Sequence, residues 1–202
     1  MPDLTWENSL WEKGLRYIAG IDEVGRGSWA GPLVVAAVIL PQDFKIPPGL
    51  ADSKQTKPMG RKRFARLIQK QAKSFSIVEI SVKLINKHGI GKATHIAFRK
   101  AIRLLSPKPD FILVDAFYIK RVAKKNQKAI VKGDEKSASI ACASILAKVY
   151  RDNLMKKLAR KYPMYGLGKH KGYGTLRHQQ AIKAHGFSKI HRTSYKLDFL
   201  IT

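Results

Sequence analysis

The segment from Tyr17 to Leu40, YIAGIDEVGRGSWAGPLVVAAVIL, constrains the fold more than any other part of the chain. Its two ends, the partly β-branched run Tyr17 to Ile21 and the continuously apolar run Leu33 to Leu40, predict two strands buried on at least one face. Between them stand Asp22, Glu23 and a glycine-rich turn. Burying an unpaired carboxylate is costly, so two in succession at the rim of a core call for a cation. The chain has only 14 acidic residues against 39 basic ones, which makes an acidic pair in this place its least accidental feature. Successive strand residues point to opposite faces. Asp22 and Glu23 can therefore share one site only if the strand bends or ends there, as Gly25 and Gly27 would permit, or if Glu23 reaches across the strand edge.

Gly25, Arg26, Gly27 and Ala30 also fit the loose dinucleotide pattern G-x-G-x-x-[GA], which needs a helix opening inside it. Here Gly31, Pro32 and another strand-like run follow instead. A tight turn whose backbone N–H groups approach a phosphate or sugar, with Arg26 beside it, is the better physical reading. A plain hairpin turn would account for the glycines but not for the carboxylates.

A formal charge of +25 on 202 residues points to a polyanionic partner, most simply nucleic acid, with an anionic membrane surface as the rival. No run approaches the roughly 18 apolar residues of a spanning helix, and Asp3, Glu7 and Glu12 make the N-terminal stretch unlike a signal peptide. The single cysteine, Cys142, excludes a disulfide framework and a Cys-based zinc site; it reads as a small core residue, and a reducing cytoplasm fits.

Along the chain, Trp6, Leu10 and Trp11 have helical spacing. A loop from Pro41 to Pro58 carries Asp52, Ser53 and Lys54; Thr56 caps, and Pro58 opens, a helix to about Lys73 whose Arg61, Lys62, Arg63 and Arg66 read as a solvated face. Phe75 to Val82 predicts a third strand, and Ile90 to Leu105 an amphipathic helix. Phe111 to Val114 is a short buried strand ending in Asp115. That is the pattern of a parallel strand delivering a ligand to its C-terminal edge, with a turn or capping aspartate equally open on pattern alone. Lys120 to Lys128 reads as a basic, flexible connection before a short strand, Ala129 to Val131. Asp134 precedes a long helix, about Lys136 to Tyr162, where simple N-capping is a serious alternative. Asp152, several turns further on, reads as a structural partner of Arg151 or Lys156. Beyond Pro163 the character changes: glycine, histidine and lysine dominate, a short helix runs from Thr175 to His185, and Tyr165, Tyr173 and Tyr195 are interleaved with Lys169, Lys171 and Arg177, a mixture suited to stacking and phosphate contact.

The unexplained carboxylates are thus Asp22, Glu23, Asp115 and Asp134, from two strand ends and one helix start that an α/β sheet can bring to one edge. Around a phosphodiester they would repel it unless metal ions intervened, and all-oxygen ligation selects Mg²⁺ or Mn²⁺. Two such ions about 4 Å apart can activate water on one side of phosphorus and stabilise the leaving oxygen on the other. A basic protein with such a site is a coherent nuclease. A non-catalytic basic RNA-binding protein would explain the charge but not the acids. A metal-free ribonuclease using His170, His178, His185 or His191 lacks an evident partner carboxylate.

Taken together, GIDEVGRG with AGP and an apolar strand, ILVDAF, GD before SIACASILAKVYRD, and the late KGYGT and HRTSY closely resemble ribonuclease HII, the type 2 ribonuclease H, from about Tyr17 to Tyr195. The resemblance implies a ribonuclease H-like α/β fold, a mixed sheet of about five strands flanked by helices, with residues 1–163 as the catalytic domain and 164–202 as a small helical substrate-binding region. It implies that Asp22, Glu23, Asp115 and Asp134 are the metal-binding catalytic carboxylates of a two-ion Mg²⁺ or Mn²⁺ site. It implies further that the Gly25, Arg26, Gly27 turn reads the ribose 2′-hydroxyl, that Ser53 and Lys54 contact phosphate, and that Tyr173 packs at the RNA-to-DNA junction. The implied activity is cleavage of the RNA strand of RNA/DNA hybrids and incision 5′ of a single ribonucleotide in duplex DNA, leaving 3′-hydroxyl and 5′-phosphate ends. The expected enzyme is a cytoplasmic monomer with no membrane partner. Ser28 and Trp29 stand where the family usually has Pro-Leu, and Gln55 and Thr56 replace a Lys-Leu, so altered substrate preference is an expectation at the first place. Ribonuclease HIII is a weaker match, since it carries an additional N-terminal domain and only 16 residues precede the first strand here.

Overall fold

The computed structural model describes residues 1–50 and 58–200. Ser53 and Lys54, with Asp52, Gln55 and Thr56, lie outside them. Five strands form one mixed sheet: β1 (Ile18–Val24), β2 (Leu33–Ile39), β3 (Ser74–Ile80), β4 (Phe111–Asp115) and β5 (Gln127–Ile130), in the order β3-β2-β1-β4-β5. β1, β2 and β3 pair antiparallel, whereas β4 lies parallel to β1 and β5 parallel to β4. The continuous apolar run of β2 has a direct cause, because all seven of its residues are buried. Leu33, Val35, Ala37 and Ile39 face one helical layer, and Val34, Ala36 and Val38 the other.

The first layer contains α3 (Val82–His88) and α4 (Ile90–Leu104), whose Ile85, Ala93, Ala97, Phe98 and Ala101 pack on the sheet. The second contains α2 (Pro58–Gln71) and α5 (Ala138–Lys161). The small residues at the start of α5 let it come very close to β1: a Cβ on Gly20 would sit 2.2 Å from the Ser139 carbonyl carbon. Cys142 is buried on α5, and burial with the neighbouring Glu7 pushes its thiol far above the usual value, which removes it from chemistry. Glu7 itself, on α1 (Thr5–Trp11), is buried and accepts hydrogen bonds from the Ser137 and Ser139 hydroxyls and the Ser139 N–H, fixing the start of α5.

Several boundaries differ from expectation, among them β5, which spans Gln127–Ile130 where Ala129 to Val131 was expected. The third strand stops at Ile80, because Ser81 accepts a hydrogen bond from the Leu84 N–H and starts α3, a helix the apolar pattern did not reveal. The basic connection after β4 contains a 3-10 turn, Lys124–Asn126, and is tied to the sheet by the buried Gln127 side chain, which accepts from the Ile119 N–H and donates to the Ile119 and Val122 carbonyls. The long helix begins at Ala138, with Ser137 as its cap. After Pro163 the chain forms α6 (Leu167–His170) and α7 (Leu176–His185), the latter capped by Thr175 and stopped at Gly186. No helix among the described residues is long and apolar enough to cross a membrane.

Candidate active site

Strand register explains how the acids meet. Ile21 of β1 pairs with Val114 of β4, so Asp22 and Asp115 are each the next residue of two parallel strands. β1 does not stop at Ile21, as the apolar run suggested, but continues through both acids to Val24, while β4 ends at Asp115. Glu23 therefore overhangs the end of its neighbour. It joins the same cavity as Asp22 despite the alternation of a regular strand. Asp134 comes from a 3-10 turn, Gly133–Glu135, and does not cap α5; Ser137 does, accepting from the Ile140 N–H. The Gly133 N–H of that turn donates to Asp115 Oδ1 at 2.7 Å, which ties the third and fourth acids together.

All four carboxylates line one open cavity of about 400 Å³. Its rim includes the expected Gly25, Arg26 and Gly27 turn and Tyr173, together with Arg61 of α2 and Ser144 and Lys148 of α5. Among the described residues no three acidic, imidazole or thiol side chains are grouped tightly enough to hold an ion as they stand. Burial raises the Asp22 carboxyl to about 7, with repulsion from Asp115 and Asp134 adding to it against a hydrogen bond from Ser144. Glu23 is raised to about 8 by burial and then by Asp22, although Arg26 pulls the other way from 3.7 Å. Both acids therefore hold protons near neutrality unless a cation replaces them.

The turn is braced from below. Gly25 has φ +90°, and a Cβ there would lie 2.0 Å from Arg151 Nε. Arg151 is fully buried and donates to the carbonyls of Pro32, Lys171 and Ala30, joining the turn's exit to the loop that carries Tyr173. Arg192, equally buried, donates to Gly31, Arg26 and the Tyr195 hydroxyl, and that hydroxyl donates to the Arg26 carbonyl. The Arg26 guanidinium lies over Phe117, 4.8 Å from its centroid.

Ser28 is buried, and the Trp29 indole packs on Gly174 and against His178. The Trp29 and Ala30 N–H groups both donate to the Gly172 carbonyl. Trp29 thus fastens the turn to the Tyr173 loop, whereas Ser28 closes the turn on itself through its N–H to the Gly25 carbonyl; neither lines the cavity. His178 and His191 are buried with Nε2 atoms 3.2 Å apart, and burial lowers both to about 4. His170 stacks on His178, with centroids 4.5 Å apart. None of the histidines lines the cavity, so their clustering is structural.

Asp152 departs from expectation. Among the described residues its ion pairs are with Lys148, at 2.8 Å, and Arg61, at 4.0 Å, while Arg151 only feels its charge without an ion-pair contact. Arg61 is turned inward and not solvated as its charge run suggested. Sequence reasoning missed Arg61, Ser144, Lys148, Arg151 and Arg192. The one local signal was the i,i+4 spacing of Ser144, Lys148 and Asp152 on a single helix face.

A family model described as Ribonuclease HII matches residues 19–198. A ribonuclease HII from Bacillus anthracis (strain CDC 684 / NRRL 3495) is 51% identical over 190 residues, covering 94% of this chain and 73% of the relative. The crystal structure of ribonuclease H2 from Pyrococcus horikoshii OT3 superposes with a TM-score of 0.72 at 29% identity, over 91% of this chain and 97% of that one. Bst-RNase HIII in complex with Mn²⁺ shares the fold, with a TM-score of 0.69 at 21% identity over 92% of this chain and 70% of that one. The chain belongs to the ribonuclease HII family, ribonuclease H-type nucleases that cleave the RNA strand of RNA/DNA hybrids.

Proposed function

We propose that this enzyme also cuts duplex DNA on the 5′ side of a single embedded ribonucleotide, by a two-metal-ion mechanism that leaves 3′-hydroxyl and 5′-phosphate ends. The observation that carries the reading is one cavity lined by Asp22, Glu23, Asp115 and Asp134 and rimmed by the glycine turn and Tyr173. The donor set fits Mg²⁺ or Mn²⁺: four hard carboxylates, with no histidine or cysteine among the described residues that line the cavity. The Mn²⁺ held by the fold-sharing Bst-RNase HIII is in keeping with it. When bound, the ions supply Lewis-acid stabilisation of both the attacking and the leaving oxygens.

The protein's own groups divide the remaining work. Asp22, Glu23, Asp115 and Asp134 hold the ions, and the bond from Gly133 keeps Asp115 aimed inward. The backbone of Gly25, Arg26 and Gly27 reads the 2′-hydroxyl, the group by which a protein tells RNA from DNA. Tyr173, 39% exposed and 5.8 Å from the Arg151 guanidinium, lies against the junction nucleotide. Ser53 and Lys54, outside the described residues, contact backbone phosphate. Residues 164–202 form the small substrate-binding region, a division supported by Tyr173 reaching the cavity from beyond Pro163. The enzyme works as a cytoplasmic monomer without a membrane partner.

The test is Asp115→Asn. Cleavage of a labelled RNA/DNA hybrid should fall by at least 10³-fold, while hybrid binding in EDTA stays within about threefold. Loss of binding, or survival of cleavage, contradicts the assignment.

A further inference from the structure

A second cavity, of about 260 Å³, adjoins the catalytic one and shares Arg61 and Lys148 with it. Lys62, Lys156, Lys169 and Lys171 complete a ring of cations that, among the described residues, surrounds one acid, Asp152. Asp152 does not line the catalytic cavity. It bonds Lys148 Nζ at 2.8 Å and meets Arg61 at 4.0 Å, with both carboxylate oxygens engaged and both cations largely sheltered from solvent.

Helix energetics do not explain this arrangement. The pair on α5 runs Lys148 then Asp152, the less favourable order for an i,i+4 ion pair, and such pairs contribute only about 0.3–0.5 kcal/mol. Geometry explains it better. Ser144, Lys148 and Asp152 lie on one stripe of α5, roughly 6 Å apart along the axis. Ser144 hydrogen-bonds to Asp22, so the stripe leads from the catalytic acids into the basic cavity. Arg61 approaches the same acid from α2. Burial, with Lys156, Lys148 and Arg151 nearby, pushes the Lys171 ammonium below its usual value despite the pull of Asp152. Among the described residues that line this cavity, six cations face one carboxylate, an environment suited to an anion.

We propose that the second cavity is a subsite for a backbone phosphodiester next to the scissile one, with Arg61 and Lys148 as its clamp and Asp152 as the residue that positions both. This rests on the nuclease reading above. The substrate phosphate enters between the two cations, and Asp152 holds them at the wall shared by the two cavities. Arg61 supplies a planar fork and Lys148 a point charge, a pairing suited to fixing a strand's position without reading its bases.

The experiment measures binding of a DNA duplex containing one ribonucleotide, in EDTA across a salt series, and steady-state cleavage with Mn²⁺. The proteins are the wild type, Arg61→Gln, Lys148→Gln, Asp152→Asn, Asp152→Glu and, as a control, Lys13→Gln in the exposed turn after α1. Arg61→Gln and Lys148→Gln should each weaken binding about tenfold and lower the salt slope by about one. Asp152→Asn removes a negative charge, so binding should hold or tighten while kcat falls roughly tenfold through misplacement; Asp152→Glu should restore most of kcat. If Asp152→Asn tightens binding and leaves kcat unchanged, Asp152 only offsets charge and the positioning role is wrong. If Arg61→Gln and Lys148→Gln behave like Lys13→Gln, the subsite is wrong. A wild type that cuts neither hybrid nor ribonucleotide-containing duplex would instead remove the nuclease reading, and that result is separate because the clamp is read by binding without metal.

Discussion

Replacing Asp22 by asparagine should make the metal-free protein more stable while abolishing cleavage. Asp22 is 6% exposed, and its carboxyl is raised from 3.8 to about 7, chiefly by burial. For an acid raised in the fold, the folded state binds the proton more tightly than the unfolded chain. Its contribution to stability is therefore fully present below about pH 4 and is lost as pH rises through about 7. At about 1.4 kcal/mol per unit, the ionised carboxylate costs the fold up to about 4 kcal/mol at pH 8, with about 2 kcal/mol expected after relaxation. Asparagine keeps an acceptor for the Ser144 hydroxyl and the Glu23 N–H without the charge, and it relieves Glu23 of the repulsion that ranks second among the causes of its own shift. Thermal unfolding in EDTA should show Asp22→Asn melting roughly 4–8 °C above the wild type at pH 8 and by less than half that margin at pH 5. Mn²⁺ should then stabilise the wild type, because it binds only the folded state, and narrow the gap. No gain at pH 8, or an equal gain at both pH values, would refute the reasoning.

Three other outcomes follow from the same geometry. Tyr173→Ala should lower cleavage at a lone ribonucleotide by about tenfold or more, with binding to all-DNA duplex little changed; equal losses in both would deny it a junction role. Gly25→Ala forces a positive φ on alanine and a collision with the buried Arg151, so unfolding should be easier by about 2–4 kcal/mol, measured by urea titration, and ribonucleotide incision should be lost. His178 and His191 are held neutral by burial and lowered to about 4. Their contribution is complete above about 6.5 and is lost as pH falls toward 4. Acid melting curves over that range should flatten in a His178→Gln, His191→Gln double variant relative to its own neutral-pH value; an unchanged slope would show that carboxylates alone govern acid unfolding.

Much of this architecture was legible from local pattern. β2 announced itself because both of its faces are covered, and β4 because a short buried run ended abruptly in Asp115. The acids stood out as charges placed against apolar sequence in a basic chain. What stayed hidden depended on contacts between elements. Arg61 belongs to a charge run whose neighbours are exposed, and only the packing of α2 on α5 turns it toward Asp152. Arg151 and Arg192 were invisible as core residues because arginine is seldom fully buried; their burial is possible only because backbone carbonyls from distant loops accept their protons. Trp29 stood out only as a departure beside the recognition turn; the packing of its indole on Gly174 and His178 depends on a loop far along the chain and left no local trace. The full extent of β1 is not legible in the sequence for a simple reason: hydrophobicity ends at Ile21, whereas hydrogen-bonded pairing with β2 continues to Val24.

The most direct measurement is cleavage of an end-labelled DNA duplex containing one ribonucleotide, with Mg²⁺, with Mn²⁺ and with EDTA, beside an all-DNA duplex. The expected result is a single cut immediately 5′ of the ribonucleotide, dependent on metal and absent from the all-DNA control. Tight, salt-sensitive binding with no cut under either metal would contradict the account.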